Sequence, residues 1–96
     1  MSGDGGTGTE FAATLLAETF QRMRAAGGLS WRGDVRSVDP ATALRALGID
    51  SIEWVSLLLE IETALGQRLY DSELAELSTL GDLLSLMSRK ASEGAR

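Results

Sequence analysis

Ninety-six residues, 44% of them hydrophobic and only one a proline, suffice for a single domain built on one core. The chain has neither cysteine nor histidine, which removes disulfides, thiolate metal sites, the commonest general base and the commonest metal ligand, so it cannot build a hydrolytic triad or a zinc site alone. Its formal charge of −5 is concentrated in residues 48–82, where eight acids face Arg68 alone; such a patch repels nucleic acid and anionic membrane, attracts basic partners, and can also serve only solubility.

Residues 1–8 read as a flexible leader and not a signal peptide, since Gly, Ser, Thr and Asp follow Met1 without an apolar stretch. Leu57-Leu58-Leu59, the longest apolar run, is too short to span a bilayer. The lack of cysteine is compatible with a cytoplasmic location, which is the expectation here. Thr7 stands three residues before Glu10, the spacing of a capping box, and Thr9 competes as N-cap. Phe11, Leu15, Leu16, Thr19, Phe20 and Met23 then share one side at 100° per residue, and Gly27-Gly28 stops the pattern. A first helix is expected over residues 9–26.

Residues 27–49 form a long connection without strong periodicity, pinned to the core by Trp31, Val35 and Val38. Asp39-Pro40 predicts a short turn of helix with Leu44 and Leu47 facing inward before Gly48. A second long helix is expected from Asp50, a good N-cap with Glu53 at the N3 position, to about Leu65, where Gly66 ends it. A short helix follows from Asp71 to about Leu77. Ser78 or Thr79 then caps a final helix, with Asp82 at N3 if Thr79 is the cap. Leu80, Leu83, Leu84 and Met87 form its buried stripe, and the pattern is lost from Ser88. No strand-like alternation of useful length occurs. The expected fold is all-α, a small right-handed four-helix bundle of three main helices and a short third one, with the domain over 9–90 and a flexible tail over 91–96.

The second helix departs from an ordinary amphipathic pattern. With Ile52 at 0°, Trp54, Leu57, Leu58, Ile61, Ala64 and Leu65 fall between about 120° and 240°, a normal core face. Ile52, Val55 and Leu59 fall on another side, between about 300° and 360°, with Glu62 interrupting the two stripes. One core needs one stripe. Either the 27–49 connection covers the second stripe, or it is a docking surface with an apolar middle and an acidic rim. Ser51 lies at its edge, at a helix N-terminus that favours phosphate. Alone, a serine there is only a helix-start residue.

The run Leu47-Gly48-Ile49-Asp50-Ser51-Ile52 resembles the Leu-Gly-hydrophobic-Asp-Ser-hydrophobic signature of acyl carrier proteins and peptidyl carrier domains. Glu60-Ile61-Glu62, Leu65-Gly66, Leu69, Asp71, Glu73 and Ser78-Thr79-Leu80 follow the same family pattern without a gap. The resemblance covers residues 9–90 broadly and 44–87 specifically. It implies a covalent 4′-phosphopantetheine on Ser51, attached from coenzyme A by a phosphopantetheinyl transferase using magnesium, with Asp50 as the motif neighbour. The arm's thiol would carry an acyl or aminoacyl cargo as a thioester. The protein would be no enzyme and would hold no catalytic residue and no metal of its own. Ile52, Val55 and Leu59 correspond to the family's apolar recognition residues, and Glu53, Glu60 and Glu62 would supply its acidic rim. Partners implied are the transferase, a loading enzyme and downstream synthase or tailoring enzymes, met by a monomeric carrier, without nucleic acid or membrane.

Several residues depart from the family pattern. Ser56 and Thr63 replace acids of fatty-acid carriers, Tyr70 takes a usual proline site, Trp54 is bulky, and Ile52 replaces a usual leucine. These departures point from fatty-acid synthesis towards a discrete carrier in polyketide or nonribosomal-peptide metabolism. Asp50 resembles acyl carriers more than the Gly-His-Ser form of peptide-synthetase carriers. A noncovalent helical adaptor with a carrier-like fold is the alternative. An enzyme in its own right is disfavoured, since only carboxylates, serines and one tyrosine remain as catalytic groups.

Overall fold

Helix-stop and capping residues divide the chain into three long helices and one short one: α1 Asp4–Ala25, α2 Ser51–Leu65, α3 Asp71–Leu74 and α4 Leu80–Gly94. This is the helical bundle that the periodicity predicts. The computed structural model describes residues 4–94, with side chains from Glu10 to Glu93. Among the described residues there is no strand, and one isolated antiparallel bridge joins Ala43 to Thr79.

α1 starts at Asp4 and not near residue 9, so Thr7 and Thr9 stand within the helix instead of capping it. Once the downstream turns are nucleated, each added residue gains a hydrogen bond cheaply. Of the expected leader, residues 4–8 are therefore helical, and Met1–Gly3 lie outside the described residues. At the other end Gly27, with φ 80°, takes the left-handed conformation. Its N–H donates to Arg24 C=O (3.0 Å), and that of Gly28 donates to Met23 C=O (2.7 Å), closing the helix in a Schellman motif.

Leu16, Phe20 and Met23 of α1 are buried against Leu57 and Ile61 of α2 and Leu80, Leu83, Leu84 and Met87 of α4. Thr19, also buried, satisfies its hydroxyl by donating to Leu15 C=O at 2.8 Å. Phe11, expected on the inward side, is 52% exposed. The buried stripe centres on Ala12, Leu16 and Met23, roughly 120° around the helix from Phe11. Ala64, expected on the core face of α2, is likewise exposed at the stripe's edge.

The 27–49 connection is pinned as its apolar residues predict. Val35 is buried, while Trp31 and Val38 pack partly buried against the core. The Trp31 ring meets Phe20 edge-on at 5.4 Å, and Arg24 Nη1 donates to Trp31 C=O (3.3 Å) and Gly33 C=O (3.2 Å). The helical turn expected at Asp39-Pro40 is instead a reverse turn, in which Asp39 C=O accepts from Thr42 N–H at 2.9 Å. A 3₁₀ turn follows only at Leu44–Leu47, with Leu47 buried and Leu44 half-buried. The cause is pairing with the start of α4. Pro40 C=O accepts from Gly81, Thr42 C=O from Leu80, and Leu44 N–H donates to Ser78 C=O, which holds residues 40–44 out of a helix.

α3 is a single turn, shorter than expected, because its last amides tighten to i−3 bonds: Leu77 N–H donates to Leu74 C=O at 3.1 Å. Thr79 is the cap of α4. Its Oγ1 accepts from Asp82 N–H (3.1 Å), while Asp82 Oδ2 accepts from the amides of Thr79 (3.0 Å) and Ser78 (2.9 Å). α4 does not fray after Ser88. Lys90 is buried, with Nζ 2.9 Å from Glu73 Oε2 and 4.9 Å from the centre of the Tyr70 ring, so the last turns of α4 are tied to α3. Of the expected tail, residues 91–94 continue the helix and Ala95–Arg96 lie outside the described residues.

Candidate functional site

The site is built around the start of α2. Gly48, with φ 75°, ends the 3₁₀ turn in the left-handed region, and the chain then extends through Asp50 (φ −79°, ψ 174°). Asp50 Oδ1 accepts from Glu53 N–H at 2.8 Å, and Glu53 Oε1 accepts in return from Asp50 N–H at 3.4 Å. The Asp50–Glu53 box expected from the spacing is therefore present. Ser51, the first residue of the helix, is exposed. Glu53 has a second task that its spacing does not announce: its Oε2 accepts from both the amide and the hydroxyl of Ser30, each at 3.0 Å. That pair of bonds ties the 27–49 connection to the helix start.

The second apolar stripe of α2 is uncovered. Ile52 is 79% exposed, Val55 56% and Leu59 58%, whereas Leu57 and Ile61 on the opposite face are fully buried. The connection packs beside the stripe and does not cover it. The three acids of the expected rim are used unequally. Glu62 Oε2 accepts from Leu69 N–H at 2.7 Å and fixes the chain after Gly66. Glu60 stands 3.6 Å from Arg22 in a half-exposed pair of little energetic weight. Glu53 is committed as described.

Tyr70, where the family pattern has a proline, donates its N–H to Glu73 Oε1 at 3.0 Å, a bond proline cannot make. That amide, followed by the Lys90 ammonium, holds the Glu73 carboxyl below its ordinary range. The amides of Thr79 and Ser78 do the same for Asp82, and the Arg36 amide for Asp34.

A cleft of about 490 Å³ opens beside Ser51, between the 3₁₀ turn, the first turns of α2 and the segment joining α3 to α4. Ile49, Trp54, Leu74 and Leu77 give it apolar walls, and Arg45 lines it as a cation. Trp54, expected in the core, thus has a cleft-facing side. Ser30, Arg45 and Lys90 escaped the sequence reading. Lys90 sits three residues beyond Met87 on the buried stripe of α4, a signal masked by its charge. Among the described residues no cluster of three or more acids is arranged to hold a metal, and no helix is long and apolar enough to cross a membrane.

Residues 31–87 match the family model described as the phosphopantetheine attachment site. Over 52 residues the chain is 33% identical to the acyl carrier protein of Thermotoga maritima. That alignment spans 54% of this chain and 64% of the relative, just under two thirds of its length. No solved structure matches the chain.

Proposed function

For a chain that belongs to the phosphopantetheine-attachment-site family, we propose that Ser51 bears the family's covalent 4′-phosphopantetheine and that the protein carries cargo between partner enzymes. The family is one of non-catalytic carriers, which accords with a chain lacking cysteine and histidine. The observation that carries the assignment is Ser51 itself, exposed as the first residue of α2, with a cleft at its side and the uncovered stripe running away from it. When attached, the arm supplies the thiol that this chain lacks, on which cargo is held as a thioester.

The chain's own residues hold and present that point. Asp50 caps α2, and Glu53 clamps Ser30, so the backbone around Ser51 is rigid on both sides. Ile52, Val55 and Leu59 offer an apolar surface to the transferase, to a loading enzyme and to downstream synthase or tailoring enzymes. Glu60, with Glu53 and Glu62 as fixed negative charges behind it, speeds encounter with basic partner surfaces more than it adds affinity. The neutral Ser56 and Thr63 on this helix favour a carrier of polyketide or nonribosomal-peptide type over one of fatty-acid synthesis.

Incubation with coenzyme A, magnesium and a promiscuous transferase is expected to add one phosphopantetheine mass to the wild type and none to Ser51→Ala, read by intact mass. No addition by any of several transferases would sink the assignment. The uncovered stripe also suits a noncovalent adaptor, the reading that stands if Ser51→Ala keeps its biological activity while Val55→Asp abolishes it.

A further inference from the structure

The cleft beside Ser51 contains one cation, and its surroundings make that cation conspicuous. Among the described residues Arg22, Arg36, Arg89 and Lys90 face carboxylates, and Arg24 holds two backbone carbonyls. Arg45, like Arg32 and Arg68, has no such partner among the described residues, and of these three it alone lines the same cleft as Ser51. The residues next to Ser51 are negative: Asp50 precedes it in the cap, and Glu53 folds back on that cap. A phosphodiester formed on Ser51 Oγ adds another negative charge beside these two carboxylates. Ser51 is exposed, and the cleft is the side on which a lining residue, Arg45, offers a cation to balance that charge. An unpaired guanidinium is suited to that role, since it stays charged and donates two parallel N–H bonds to phosphate oxygens.

Resting on the reading that Ser51 bears the arm, we propose that Arg45 pairs with the phosphodiester at Ser51 and so turns the arm into the cleft, against Trp54 and Leu77. The cleft's 490 Å³ lies within the range of small-ligand sites, about 300–1,000 Å³. Its walls include the apolar Ile49, Trp54, Leu74 and Leu77 and the cationic Arg45. Arg45 is a positioning residue, which limits the directions in which the arm leaves the protein.

The test compares ¹⁵N-labelled apo and holo protein by NMR, with the arm's presence established by intact mass and no cargo loaded. On conversion to holo protein, the Arg45 Nε–H and Trp54 indole N–H resonances are expected to shift. The Trp31 indole, which packs on Phe20 away from the cleft, should stay in place. In holo Arg45→Gln the Trp54 resonance should return to its apo position, and Arg45→Lys should retain part of the shift. Arg45 is exposed and without a side-chain partner, so these variants keep the fold. An unmoved Arg45 resonance in wild-type holo protein overturns the pairing. So does a Trp54 shift that survives in Arg45→Gln. A wild type that takes no arm by mass refutes the attachment reading itself, and the pairing falls with it.

Discussion

Asp50 illustrates how one side chain fixes the backbone around the proposed attachment point. Its carboxylate satisfies the Glu53 amide, an otherwise orphaned donor of the first turn, and so fixes the backbone on which Ser51 is displayed. Asp50→Ala is expected to cost about 1 kcal/mol, lowering the melting midpoint by about 4–8 °C, with modification of Ser51 slowed but not abolished. Thermal denaturation followed by circular dichroism, alongside a time course of arm addition, checks both. Asp50→Asn, which still accepts the hydrogen bond, should restore most of the stability.

On the scale of an element, α2 holds two apolar faces, one buried and one exposed. Leu57 is fully buried, and Leu57→Ala should destabilise the protein by ~2–5 kcal/mol through lost burial and the cavity left behind. Val55 and Leu59 are more than half exposed, so Val55→Asp and Leu59→Asp should leave the melting midpoint nearly unchanged. The same two substitutions should sharply reduce engagement of partner enzymes, measured as the rate of arm addition by a transferase. A large loss of stability in Val55→Asp would instead mean that the stripe belongs to the core. α3 shows a different economy. It is one turn long, and Glu73 holds it by accepting from Tyr70 N–H and pairing with Lys90 and Arg89 of α4.

For the molecule as a whole, that last attachment gives stability a defined pH dependence. The Glu73 carboxyl is held below its ordinary value of 4.5, chiefly by the Tyr70 amide and then by Lys90. A lowered folded-state value means that its contribution is complete above 4.5 and is lost as the pH falls through the folded value. Asp82 and Asp34 act in the same direction from their ordinary value of 3.8. Acid should therefore lower the melting midpoint of the wild type. Glu73→Gln should lie below wild type at neutral pH, and the gap should narrow as the pH drops below 4.5. A gap that stays constant with pH would remove the ionised carboxylate from the explanation.

The four helices, the Asp50 and Thr79 caps and the two faces of α2 were legible in the sequence, because each rests on interactions spanning a few residues. Capping needs three residues, a stripe needs a repeat every three or four, and a stop needs a glycine that tolerates positive φ. The motif around Ser51 is legible for the same reason. What only the tertiary structure decided involves partners far apart in the chain. Ser30 reaches Glu53 across 23 positions, Lys90 reaches Glu73, and residues 40–44 pair with 78–81 in place of forming a helix. The exposure of Ile52, Val55 and Leu59 belongs here too, since a periodicity shows that a stripe exists but not whether another segment covers it. So does the cleft that Arg45 and Ser51 both line, because a cavity is the space left between elements and has no residue pattern of its own.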